Sequence, residues 1–296
     1  GDSVPDVVWL GVVADGGRGG ITKGILRPLD PVIKADRFNA AHAKQIAAGE
    51  ISPVEHSSSE FILKASGIES RYVMDRKGVL DPDRMYPALR QRSDDEPGIM
   101  AEMALDACQK ALAKAGRTGA EIDLVICAAS NMERAYPAIA IEIQKLLGAS
   151  GFAFDMNVAC SSATFGIQAA ADMIRAGSVR RALVVNPEIT SGHLEWRDRD
   201  CHFIFGDVAT ATLIERQEDA AQGFAIRSVK CATEFSNNIR NNNGRFDFDD
   251  ERARANPLAA LTGGGEEGRR RPARQGGGAR PATAKAVVRR TGTQTS

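Results

Sequence analysis

Phe154-Asp155-Met156-Asn157-Val158-Ala159-Cys160-Ser161-Ser162-Ala163-Thr164-Phe165-Gly166 is the stretch on which the reading of this chain turns. Phe152–Val158 reads as a strand, and Ser161–Ala176 as a helix of small residues stopped by Gly177. Cys160 stands at the junction. A thiol there faces unpaired backbone N–H groups and the positive end of the helix dipole, and both favour thiolate over thiol. The small side chains that follow predict a deeply buried helix holding the thiol at the bottom of a pocket. The competing reading makes Cys160 one more buried, inert small residue, and the local pattern leaves both open. Cys108 and Cys127, on an apolar helix face and inside a strand, read as core fillers. Cys201 and Cys231 have no helix start beside them.

Working outward, strand and helix alternate. Met100, Met103, Ala104, Ala107, Cys108 and Ala111 recur at helical spacing, with Gly116 as a left-handed stop. Ile122–Ala128 is a short apolar run of the kind a buried strand needs. Pro137 is expected at a first helical position, ahead of Ile139, Ile143, Leu146 and Leu147 and a stop at Gly148. Ala182–Val185, Ala209–Ile214 and Phe224–Lys230 read as further strands. The order predicts an α/β fold, a mixed or parallel sheet with helices on both faces.

The 296 residues suffice for one large or two ordinary domains at roughly 100–200 residues each. Lys+Arg and Asp+Glu balance at 38 each, which excludes a globally basic nucleic-acid binder and a strongly acidic disordered chain. No apolar run approaches the roughly 18 residues of a membrane span, and residues 1–30 lack the pattern of a secretory signal. Five cysteines without a CxxC pair point to reduced thiols and to neither a disulfide frame nor a metal site. The expected location is the cytoplasm.

The zero net charge hides an asymmetry: from Gly268 to Ser296 every charged side chain is basic. That stretch includes Gly276-Gly277-Gly278 and almost no large apolar residue, too little to offset backbone ordering at roughly 1–2 kcal/mol per residue. Residues 241–296 therefore read as an atypical basic, Gly/Arg-rich tail expected to be disordered. It lacks the aromatic interleaving that single-strand nucleic-acid binders use for stacking. Residues 1–35 are also atypical, with Gly16-Gly17-Arg18-Gly19-Gly20 interrupting a possible strand at Val7–Val13.

Four motifs, in order and at matching spacing, make residues from about Arg37 to Val229 resemble the β-ketoacyl-acyl carrier protein synthase III family of the thiolase superfamily. They are Ser66-Gly67-Ile68-Glu69-Ser70-Arg71-Tyr72, the Tyr136-Pro137 helix, Asp155–Gly166 and Phe205-Gly206-Asp207. The resemblance implies a thiolase-like mixed sheet flanked by helices, with one half largely intact at 36–240 and the second half mostly missing. It makes Cys160 the acyl-accepting nucleophile, Arg199 a contact to coenzyme A, and Tyr136 an aromatic that reaches into a partner subunit's acyl pocket. Phe61 and Ala65 stand where the family usually sets a tryptophan and an arginine against the adenine; Phe61 can stack, but Ala65 makes no ionic contact. The implied reaction condenses an acyl-coenzyme A primer with malonyl-acyl carrier protein through an acyl-cysteine, in a homodimer. Coenzyme A serves as a thioester substrate, and no separate cofactor is implied.

The family draws a histidine and an asparagine for condensation from its second half. The histidines here are His42, His56, His193 and His202, with none beyond. His193 and His202 flank the coenzyme-contact loop and read as surface or rim residues. The resemblance thus implies that the chain lacks the condensation donors. The alternatives are another acyl-coenzyme A condensing enzyme of the superfamily, or a non-catalytic remnant that binds a carrier protein.

Overall fold

The computed structural model describes residues 35–194, 196–199 and 202–235, together with the backbone of three strands at 7–12, 27–29 and 285–288. In chain order the strands are β1 Val7–Val12, β2 Arg27–Leu29, β3 Arg71–Val73, β4 Leu124–Ala128, β5 Phe152–Met156, β6 Arg181–Ile189, β7 Asp207–Arg216, β8 Phe224–Lys230 and β9 Lys285–Val288. The helices are α1 Ala35–Ala41, α2 Ala43–Ala47, α3 Ser59–Ser66, α4 Arg76–Leu80, α5 Ile99–Ala115, α6 Ile139–Leu147 and α7 Ser162–Arg175.

Seven strands form one sheet in the order β5-β4-β6-β7-β1-β8-β9, and β2 pairs with β3 in a second. β5, β4 and β6 run parallel, while β7, β1, β8 and β9 continue antiparallel, so the sheet is mixed. Every residue of β4 is buried, as expected of a parallel strand covered on both faces. Alternation along the strands sorts the core into two layers. Val125, Cys127, Leu183, Val185 and Leu213 pack with α5 and α6, whereas Leu124, Ile126, Val184 and Ile214 pack with α7. Fully burying each of the larger aliphatic side chains contributes roughly 1.5–3 kcal/mol, so these two layers hold the sheet between its helices.

The helix stops are where the sequence puts them: α5 and α6 end at Gly116 and Gly148, both left-handed with φ of 66° and 65°. The start of α6 is not. Pro137 lies ahead of the helix and Ala138 is its N-cap, because the Asp155 carboxylate on β5 captures the N–H groups of Ile139 and Ala140 at 2.9 and 2.8 Å. A partner brought in from another strand thus sets the first turn. At the chain's ends, Val7–Val12 forms a strand paired with both β7 and β8, despite the glycines that follow it. Within the tail expected to be disordered, Lys285–Val288 is a strand paired with β8. The remaining expectations for 1–6, 13–26, 30–34, 236–284 and 289–296 lie outside the described residues.

Candidate active site

The carboxyl ends of the parallel strands β4, β5 and β6 converge on the turn that leads into α7. Residues Ala159–Ser161 form a single 3-10 turn, and α7 begins at Ser162. Cys160 therefore precedes the helix proper, and it is exposed. The expectation of a thiol at the bottom of a pocket is corrected among the described residues: the tight turn lifts Cys160 out of the helix face, while Ser162 and Gly166 take the buried positions.

Gly166 shows why this helix can lie so close to the sheet. A Cβ at that position would meet Val184 Cγ1 at 2.8 Å and Ala128 Cβ at 3.3 Å. The turn itself is pinned from both sides. Ala159 holds φ 46°, a left-handed conformation unusual for an L residue with a side chain. Its N–H donates to Asn157 Oδ1 at 2.8 Å, and its carbonyl accepts from Ser162 Oγ at 2.8 Å. Ser162 Oγ in turn accepts from Val158 N at 2.9 Å. Cys160 is thus carried on a backbone whose neighbours are fixed by side chains.

A second cluster joins residues that the sequence placed far apart. The Arg199 guanidinium lies 4.0 Å from the Phe61 ring centroid, and its Nε donates to the His56 carbonyl at 2.8 Å. Phe203 meets Phe61 edge-on at a centroid distance of 6.4 Å. His202, read from the sequence as a rim residue, is 1% exposed. Its Nδ1 pairs with the Asp198 carbonyl at 2.7 Å and its ring packs edge-on against Phe203, which explains its burial. His193 is exposed, His42 faces Asp83 and the Phe38 carbonyl, and His56 faces Asp36. Tyr136, on the segment between β4 and α6, is 85% exposed.

The sequence motifs contain the polar residues that organise these parts without showing what they hold. Asp207 is buried and accepts from Ser191 N, Ser191 Oγ and Met74 N, each at 2.7 Å. Arg71 donates to the Ile204 carbonyl through Nε and Nη2 at 3.3 and 2.9 Å. A Cβ on Gly206 would meet the Tyr72 carbonyl oxygen at 2.9 Å. The motifs Ser66–Tyr72 and Phe205–Asp207 are therefore one contact, seen twice along the chain. Only their joint occurrence in the sequence signalled it.

Replacing Arg199 with alanine removes both the contact over Phe61 and a charge-assisted donor. The coenzyme A contact that the family resemblance implies for Arg199 would then weaken by about 1.5–3 kcal/mol, read by calorimetry. Unchanged affinity would show that this cluster does not bind that ligand.

Residues 154–234 match the family described as 3-Oxoacyl-[acyl-carrier-protein (ACP)] synthase III. The chain is 56% identical over 217 residues to a protein named Beta-ketodecanoyl-[acyl-carrier-protein] synthase from Pseudomonas aeruginosa, which covers 73% of this chain and 62% of the relative. It is 35% identical over 183 residues to a Beta-ketoacyl-[acyl-carrier-protein] synthase III from Rhizobium johnstonii, covering 61% of this chain and 50% of that one. The chain thus spans between half and two thirds of the length of these relatives.

Among solved structures, the priming beta-ketosynthase of the R1128 polyketide pathway superposes with a TM-score of 0.51 at 25% identity, over 74% of this chain and 53% of the other. The 3-oxoacyl-[acyl-carrier-protein] synthase III of Aquifex aeolicus superposes at 0.55 with 21% identity, over 77% and 58%. The fold is thiolase-like, a mixed sheet between helices. No helix among the described residues is long and apolar enough to cross a membrane.

Proposed function

We propose, for a chain whose residues 154–234 belong to the 3-oxoacyl-[acyl-carrier-protein] synthase III family, that Cys160 accepts an acyl group from an acyl-coenzyme A. The observation that carries this reading is an exposed thiol on a side-chain-pinned turn at the converging strand ends. The reaction forms a bond between Cys160 Sγ and the thioester carbonyl carbon and breaks the bond from that carbon to the coenzyme A sulfur. The proton given up by the Cys160 thiol ends on the coenzyme A thiol. Arg199 and Phe61 would hold the coenzyme, Arg199 by charge and Phe61 by its ring face.

The primer we propose is a medium-length acyl chain. The 56% identical relative is named for a ten-carbon β-ketoacyl product, and extension by two carbons implies an eight-carbon primer. An acyl carrier protein as the second substrate follows from the same names. A second copy of the chain is supported by Tyr136, 85% exposed, and by Phe152, exposed on β5 at the end of the sheet order.

Acylation and condensation are separable here. Condensation in this family draws on a histidine and an asparagine to hold an enolate, and two neutral donors at one oxyanion can each contribute several kcal/mol. The residues from 203 to 296 contain no histidine, and among the described residues His42 contacts the Phe38 carbonyl, His56 contacts Asp36 and His202 packs against Phe203. Incubation with octanoyl-coenzyme A, followed by intact mass spectrometry, is expected to add one octanoyl group to the chain. Malonyl-acyl carrier protein is then expected to yield no β-ketoacyl product. Absence of the adduct would refute the acyl-transfer reading, and turnover with malonyl would show that other residues supply the donors.

A further inference from the structure

Behind the Cys160 turn lies a carboxylate that the acyl-transfer reading does not use. Glu188, near the end of β6, is half-buried. Its Oε1 accepts from both the N–H and the hydroxyl of Ser130, the latter at 2.7 Å. Its Oε2 is buried, with no hydrogen-bond partner among the described residues. Ser130 lies just past β4, and its carbonyl accepts from Asn157 Nδ2 at 2.9 Å. The other end of the Asn157 amide, Oδ1, takes the N–H of Ala159, the residue before Cys160.

We propose that Glu188 is a positioning residue for the nucleophile, acting through Ser130 and Asn157 to hold the left-handed Ala159 that sets the direction of the Cys160 side chain. The inference rests on Cys160 being the acyl acceptor. One carboxylate oxygen takes two donors of Ser130 and so anchors that residue beside Asn157, whose Nδ2 donates to the Ser130 carbonyl. The Asn157 amide, donating at one end and accepting at the other, then has a single orientation. Ala159 has no conformational preference for positive φ of its own, so this relay and Ser162 supply it from outside. The contacts use Oε1 as an acceptor and need no negative charge. Glutamine can provide the same acceptor, with its NH₂ in the place of the unpartnered Oε2.

The test measures the rate of octanoyl transfer from octanoyl-coenzyme A to the full chain, with circular dichroism as the check on folding. Glu188→Ala is expected to lower the saturating acylation rate by roughly 100-fold, the cost of a small misplacement of a reacting group. The concentration for half-maximal rate should not change. Glu188→Gln should restore the rate to within about threefold of wild type. Asn157→Ala, which cuts the relay without disturbing the buried carboxylate, should reproduce the slow rate even if Glu188→Ala fails to fold.

Wild-type rates in a folded Glu188→Ala or in Asn157→Ala would overturn the positioning role. A glutamine variant as slow as the alanine variant would overturn it too, by showing that charge matters and geometry does not. Cys160→Ala separates the two levels: if it still accepts octanoyl, the underlying assignment of the nucleophile fails.

Discussion

Cys160→Ala is expected to abolish acyl transfer from any acyl-coenzyme A, and iodoacetamide is expected to label Cys160 well ahead of the core thiols. Cys108 and Cys127 are buried, one on α5 and one in β4. Burial pushes both thiols far up, and for Cys127 the Asp155 and Glu188 carboxylates add to it. Only the thiolate attacks iodoacetamide, so these two should react through local opening alone. Each 1.4 kcal/mol of opening free energy slows them about tenfold, which makes a separation of roughly 100-fold or more a modest expectation. Cys231 is partly exposed, and burial with the nearby Asp172 raises its thiol to a smaller degree. It should rank second among these four. Peptide mapping that finds Cys108 or Cys127 labelled first, with Cys160 intact, would remove Cys160 from the site.

The parts of this protein that repeat a period were legible in its sequence. The apolar spacing of α5, the buried run of β4 and the glycines that stop two helices are local properties of the chain, and each falls where its pattern puts it. Cys160 was legible because a strand-to-helix junction is itself a pattern. The structure keeps it ahead of the helix, on a 3-10 turn that leaves it exposed where a pocket floor was expected.

What escaped sequence reading was single polar residues whose partners lie in other elements. Asp155 reads as one charge in a strand, yet it caps α6. Asn157 reads only as part of a strand and a motif, and nothing local singles out Glu188, until β4 and β6 bring Ser130 between them. His202 looked exposed because nothing local announces Phe203 and the Asp198 carbonyl as its surroundings. Arg199 and Phe61 were both singled out through family resemblance, but only the fold shows that they touch. Burying a polar group requires a partner, and that partner is invisible while the chain is read as a line.

Asp207→Ala is expected to destabilise the fold by about 3 kcal/mol or more, read as a fall in the urea midpoint at pH 7. Three donors converge on this carboxylate, and a hydrogen bond to a charged group contributes roughly 1.5–3 kcal/mol, with a further cost when a buried donor is left unpaired. The loss should spread, because Ser191 also accepts from Trp196 Nε1 at 2.9 Å, and Met74 continues the chain from β3. Asp207→Asn should not rescue it. Oδ1 faces the Ser191 N–H while Oδ2 faces Met74 N and the Ser191 hydroxyl, so either orientation of an amide sets an NH₂ group against a backbone N–H.

The pH dependence has a definite sign. Burial raises the Asp207 carboxyl above its ordinary value, against the pull of the Ser191 and Met74 donors. Between the unfolded value of about 3.9 and that raised value, the native state holds a proton that the unfolded chain has released. This group's contribution to stability is therefore fully present below the lower value and declines as pH rises through the upper one. Asp207→Asn does not titrate, so the difference in urea midpoint between wild type and this variant should change across that window and level off above it. An asparagine variant as stable as wild type at pH 7 would mean that the Ser191 and Met74 donors find other acceptors. The clamp between Phe205–Asp207 and Ser66–Tyr72 would then rest on Arg71 and the Ile204 carbonyl alone.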